Sequence, residues 1–178
     1  MRIILFEGVD KVGKTTSIKK LDSYLTSLGY NVVKLNIPFE VKHITGDIIT
    51  SRLRMSINNI IEMDKLFDDN YICLLDRFHI SENVFSKFFK RKTDRTLCNF
   101  IDYKFRYMNS LLIYIQPDDC KINFNKFKVN NRIDGFTFKQ YLKLFNRFNK
   151  EYQQSEITKI KIKTSNLDNL PDKINEWL

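Results

Sequence analysis

Glycine and proline are scarce in this chain, with five and three among 178 residues. Flexible linkers and disordered tails are rich in those two residues, and no repeat or low-complexity tract divides the sequence. The length suits one domain, residues 1–178, around one core. No run of about 18 apolar residues occurs, which excludes a membrane-spanning helix. The opening Met1–Gly8 stretch is too short in its apolar part, and lacks a small-residue cleavage site, to read as a secretory signal. The cysteines Cys73, Cys98 and Cys120 are odd in number and form no C-x-x-C pair, so neither a zinc site nor a disulfide framework is indicated. With no leader, they point to a reducing, cytoplasmic setting. His43 and His79 have no partners at metal-ligand spacing. An N-K-x-D motif and a separate D-x-x-G are also missing, which argues against a regulatory GTPase.

What is present is ample material for a core: 43% hydrophobic and 13% aromatic residues, beside 29% charged ones. The net charge of +9 attracts anions, and nucleic acid and free nucleotides both qualify. Lys87, Lys90, Arg91, Lys92 and Arg95 gather in one stretch. No aromatic residues interleave there at base-stacking spacing, so the cluster reads as a solvated helix face rather than a nucleic-acid surface.

Apolar runs alternate with helix-period segments, which predicts an α/β fold with a parallel sheet and helices on both faces. Strands are expected at Arg2–Phe6, Asn31–Ile37, Tyr71–Leu75, Leu111–Ile115 and Ile157–Lys163. Helices are expected at about 14–28, 45–69, 80–92, 94–109 and 136–154, with a last short one from Pro171. Strands one, three and four are nearly continuous apolar runs, as in strands covered on both sides. Strand five alternates with lysine and strand two is mixed, so both belong at the rims. The order 2-3-1-4-5 satisfies these constraints, giving a three-layer, five-stranded α/β architecture.

Gly8-Val9-Asp10-Lys11-Val12-Gly13-Lys14-Thr15 fits G-x-x-x-x-G-K-[ST] between a strand and a helix. Its glycines let the main chain curl so that N–H groups converge, and the helix N-terminus adds positive charge. Residues Gly8 to Thr16 would cradle the ATP phosphates, with Lys14 on the β- and γ-phosphates and the Thr15 hydroxyl on Mg²⁺. Asp76 ends strand three beside this loop and is the second Mg²⁺ candidate, partly through water. Arg77 follows, where hydrolytic ATPases usually carry a glutamate that activates water. A cation there can hold an anionic acceptor and neutralise a transferring group.

Phe6-Glu7-Gly8-Val9-Asp10-Lys11-Val12-Gly13-Lys14-Thr15-Thr16 resembles the F-E-G-x-D-x-x-G-K-T-T loop of thymidylate kinases. Asp76-Arg77-Phe78-His79-Ile80-Ser81-Glu82-Asn83-Val84-Phe85 resembles their D-R-[YF]-x-x-S-x-x-A-[YF] segment, and is similar to its form in small phage and viral kinases. The resemblance covers about residues 1–37 and 71–85. It implies the three-layer P-loop NTPase fold in the strand order above, ATP as donor, Mg²⁺, a mobile lid, and transfer to a nucleoside monophosphate such as dTMP. It also implies that Asp10 holds the acceptor sugar's 3′-hydroxyl and that Asp76 and Arg77 lie where acceptor meets phosphates. Ser81, in the same segment, joins the acceptor candidates. The family's arginine after strand two is replaced here by Pro38-Phe39-Glu40-Val41-Lys42, making Phe39 and Lys42 candidates for the acceptor. Its thymine-reading helix has no clean counterpart; Arg52 and Arg54 stand nearest, and Arg54 is the candidate taken. His79, next to the D-R pair, is a candidate for packing near the acceptor.

The polar, basic connection at about 117–135 occupies the place of the lid. Arg132 is its favoured catalytic cation, with Lys126 and Lys128 in reserve. Phe138, Tyr141, Phe145, Phe148 and Tyr152 recur at helical spacing and read as core. Glu7 reads equally as a structural or a functional carboxylate, and Thr164-Ser165-Asn166 as an adenine contact or a plain turn. Two further readings stay open: a deoxynucleoside kinase, with Glu40 roughly placed as base, and, behind it, a nucleic-acid-dependent ATPase or polynucleotide kinase. Related kinases often pair, so a homodimer stays open too, although no interface pattern stands out.

Overall fold

The computed structural model describes residues 1–36, 45–131 and 136–178. Its middle is set by strands that are apolar on both faces. In β1 (Arg2–Glu7), Ile3, Ile4, Leu5 and Phe6 are all fully buried. Successive strand residues point to opposite faces, so both faces of β1 must be covered. β3 (Tyr71–Asp76) and β4 (Ser110–Gln116) flank it in parallel and are buried in the same way. The half-exposed β2 (Asn31–Asn36) and β5 (Thr158–Lys163) close the sheet at its rims. The order is β2-β3-β1-β4-β5, as the sequence predicts.

α1 (Lys14–Ser27) follows β1 and buries Ile18, Leu21 and Leu25 at three- and four-residue spacing. It ends at Gly29, whose φ of +90° suits a residue without Cβ. There Tyr30 N–H donates to Leu25 O and Gly29 N–H to Thr26 O, which satisfies carbonyls the helix leaves over. α2 (Gly46–Leu66) leads to β3. α3 (His79–Phe89) and α4 (Arg95–Tyr107) lie between β3 and β4. Asp94 caps α4 by accepting from Leu97 N–H at 2.9 Å.

The segment after β4 departs from the sequence-based expectation of a loop. It forms α5 (Cys120–Asn131), started by Asp119, whose carboxylate accepts from the N–H groups of Lys121 and Ile122. Phe124 and Phe127 of α5 pack on Phe136 and Tyr141, so burial of aromatic surface supports a helix that its polar residues disguise. α6 (Phe138–Gln154) opens with a reciprocal cap between Thr137 and Gln140. A 3-10 turn (Thr164–Asn169) and α7 (Leu170–Asn175) follow β5.

Parallel register carries the carboxyl ends of β1 and β3 to one edge, with Phe6 opposite Asp76. Ligands of open α/β sheets bind at that edge. The start of α2 is equally constrained: a Cβ on Gly46 would collide with the main-chain carbonyl of Lys92. Gly46→Ala is therefore expected to destabilise the fold by about 1–3 kcal/mol, read as a lower urea midpoint with an unchanged slope.

Candidate active site

The loop from Gly8 to Gly13 joins β1 to α1, and sterics fix its glycines. Gly8 has a φ of +140°, and a Cβ there would run into the carbonyl oxygen of Ile115. Gly13 has a φ of +92°, with Leu167 Cδ1 lying 2.9 Å from where a Cβ would stand. Val9 and Val12 are wholly buried, so they anchor the loop in the core and can offer a ligand only main-chain groups. Thr15 and Thr16 are exposed at the head of α1.

Lys14 is 6% exposed, and its ammonium donates to Gly8 O at 3.0 Å and Val9 O at 2.8 Å. Burial, then the neighbouring Arg77 guanidinium, lowers its pKa from 10.5 to about 8, against the pull of Asp10 and Asp76. Such a charge gains strongly from an anion brought within reach. The Thr15 hydroxyl donates to Asp76 Oδ2 at 3.2 Å, so hydroxyl and strand-end carboxylate meet at one point. Mg²⁺ takes one or two protein oxygens and fills its octahedron with water and phosphate oxygens. Thr15 and Asp76 fit that habit, and the described residues show no tighter group of metal-binding side chains.

Arg77 joins the site's parts. Its φ of +70° is unusual for a residue with Cβ, and its N–H donates to Phe6 O at 3.0 Å. One guanidinium nitrogen donates to Gly8 O at 3.0 Å and to the Ser81 hydroxyl at 3.2 Å. The other pairs with Asp10, and the guanidinium lies 5.2 Å from the centre of the Phe85 ring. Beneath it, the buried Glu7 accepts from Phe78 N–H at 2.8 Å, from Ser81 N–H and from the Ser81 hydroxyl. Burial pushes the Glu7 carboxyl up while these donors and Arg77 pull it back. Glu7 thus binds the start of α3 and serves the site by holding Ser81.

The structure therefore brings Gly8 to Thr16, Asp76, Arg77 and Ser81 together. Arg54 stands apart: on α2 it is largely exposed and ion-paired at 3.4 Å with Asp94, beside a cavity of about 360 Å³ that no P-loop residue lines. Phe39, Lys42 and Arg132 lie outside the described residues, as does Glu40. His79 falls two residues before Ser81, hence on the opposite side of α3. Its Nε2 is 3.0 Å from Asp102 Oδ1, among α3, α4 and α6 rather than over the phosphate loop. Thr164 lies against the loop, its single hydroxyl proton within reach of Gln116 O at 3.0 Å and Val12 O at 3.4 Å. Sequence reasoning missed Asn123, a buried residue of α5 whose side-chain amide donates to Asp10 O at 2.9 Å.

No protein-family model matches the chain. Two curated thymidylate kinases, from Thermoanaerobacter sp. (strain X514) and Thermoanaerobacter pseudethanolicus, are each 51% identical to it over 37 residues. That stretch is 21% of this chain and spans only 18% of either relative. Solved structures agree over nearly the whole length. The YorR protein of Bacillus subtilis, crystallised with phosphorylated GDP, superposes with a TM-score of 0.69 at 20% identity, over 98% of this chain and 94% of that one. The thymidylate kinase of Ehrlichia chaffeensis gives 0.66 at 16%, over 98% and 97%. The deoxyadenosine kinase of M. mycoides, with dCMP and dCDP bound, gives 0.61 at 16%, over 98% and 99%. The fold is that of the P-loop kinases. The chain is similar in structure to thymidylate kinases and to a deoxyadenosine kinase.

The state of Lys14 has measurable consequences. Its lowered pKa means the folded chain gives up that proton near pH 8, before the unfolded chain does near 10.5. This group's contribution to unfolding free energy therefore rises with pH across that window. A bound triphosphate favours the ammonium, so calorimetry near pH 8 should show proton uptake on binding Mg·ATP. Affinity should fall by about tenfold between roughly pH 7 and 9, and Lys14→Met should abolish binding without lowering the melting temperature.

Proposed function

We propose that the protein transfers the γ-phosphate of ATP to a nucleoside monophosphate, in the manner of a thymidylate kinase. The observation that carries this reading is the meeting of Thr15 and Asp76 at 3.2 Å, with Arg77 in place of a water-activating carboxylate. Lys14 would hold the β- and γ-phosphates against the main-chain N–H groups of the loop. Magnesium on Thr15 and Asp76, partly through water, would supply charge neutralisation at the same phosphates. Arg77, oriented by Asp10 and Ser81, would face the transferring group and the acceptor. A monophosphate is already an anion at neutral pH, its second pKa being about 6, so the reaction needs no general base.

A deoxynucleoside acceptor is the second reading. What favours it is the position of Arg54, which is engaged by Asp94 rather than held ready for an acceptor phosphate. A polynucleotide acceptor ranks behind both. Lys87 and Arg95 pair with Glu151, and Arg91 pairs with the buried Glu82, so much of the basic cluster is neutralised within the fold.

The test is ADP release from Mg·ATP with a panel of nucleosides, their monophosphates including dTMP, and single-stranded oligonucleotides. Turnover with one or more monophosphates is expected, lost in Lys14→Ala and reduced about 10²-fold in Arg77→Lys, which keeps charge but not the fork. ATP binding without turnover on any member of the panel would refute the kinase reading.

A further inference from the structure

One side chain from outside the phosphate loop is hydrogen-bonded to a peptide carbonyl within it. Asn123 is 5% exposed on the first turn of α5, 113 residues beyond Asp10 in the chain. Its Nδ2 donates to Asp10 O at 2.9 Å and to the Tyr141 hydroxyl at 2.7 Å, which uses both amide hydrogens. A main-chain carbonyl only accepts, so the amide nitrogen must be the atom that faces it. Asn123 is itself held firmly, since its own N–H donates to Asp119 O at 3.1 Å and Tyr141 is fully buried on α6.

The consequence follows from peptide geometry. The Asp10–Lys11 bond is trans, so its carbonyl and its N–H point in opposite directions. Drawing the Asp10 carbonyl towards α5 turns the Lys11 N–H away from that helix. Lys11 also has a φ of +65°, a left-handed conformation that is disfavoured for a residue with Cβ. Such a conformation persists when surrounding contacts over-determine it, and residues of this kind cluster at active sites and ligand clamps.

Building on the phosphotransferase reading, we propose that Asn123 is a positioning residue for the donor. It holds the Asp10–Lys11 peptide with its N–H presented to the triphosphate, and so couples the helix at the lid position to ATP binding. It touches no phosphate itself. Loss of the tether frees the peptide to relax from the left-handed form, and each binding event must then restore it.

A double-mutant cycle in Mg·ATP affinity, read by calorimetry, tests this. Asn123→Ala is expected to weaken binding about tenfold in the Lys11 background and less than threefold in a Lys11→Gly background. Glycine adopts φ near +65° freely, so it needs no tether, whereas a merely structural defect would cost the same in both backgrounds. Equal losses in the two backgrounds, or unchanged affinity in Asn123→Ala, would overturn the proposal. Should Asn123→Ala fail to fold by circular dichroism, the isosteric Asn123→Asp replaces it in the cycle. Its oxygen against the Asp10 carbonyl is expected to weaken binding at least as much, with the same dependence on Lys11. Failure of the wild-type chain to bind Mg·ATP would instead sink the kinase reading, and this inference with it.

Discussion

The Arg77 guanidinium is the joint on which the site depends. It reaches a phosphate-loop carbonyl, the Asp10 carboxylate and the Ser81 hydroxyl at once, from the end of the strand next to the loop. A planar fork with five N–H donors satisfies three acceptors in such different directions. Removing it would cost Asp10 its guanidinium partner and leave Glu7 to hold the head of α3. Two cations, Lys14 and Arg77, are set against three carboxyl groups, Glu7, Asp10 and Asp76. Those opposing charges let two cations stay buried.

Binding power and stability pull in opposite directions here. The ammonium of Lys14 is kept from water, where it would be most comfortable, and the fold bears that cost through its other contacts. The sheet can bear it because its middle is unbroken: β1, β3 and β4 bury essentially every side chain between their ends. Site and core are thus parts of one arrangement, since Val9 and Val12 belong to both.

The sheet order was legible because composition varies strand by strand, apolar in the three inner strands and lysine-studded in Thr158–Lys163. The phosphate loop was legible because glycine at positions 8 and 13 answers a local steric demand, which leaves its mark in a short window of sequence. The helix of residues 120–131 was not. Its Lys121, Asn123, Asn125, Lys126 and Lys128 read as a loop, and the aromatic surface that makes it helical comes largely from residues after position 135. Asn123 was invisible for the same reason, as nothing local marks an asparagine whose partner lies 113 residues earlier. His79 misleads in the other direction. Its place beside Asp76 and Arg77 suggests the pocket, but a helical turn swings it round to Asp102.

The outer strand β5 has a bearing on how the protein behaves when crowded. A rim strand offers unpaired main-chain groups to any extended segment that drifts past, a common seed of aggregation. Here Lys159, Lys161 and Lys163 stand exposed along that rim. A second copy approaching edge-on would bring its own lysine row against this one, and like charge would push the two apart before strands could zip. The alternation that marks β5 as peripheral thus also protects the sheet from growing.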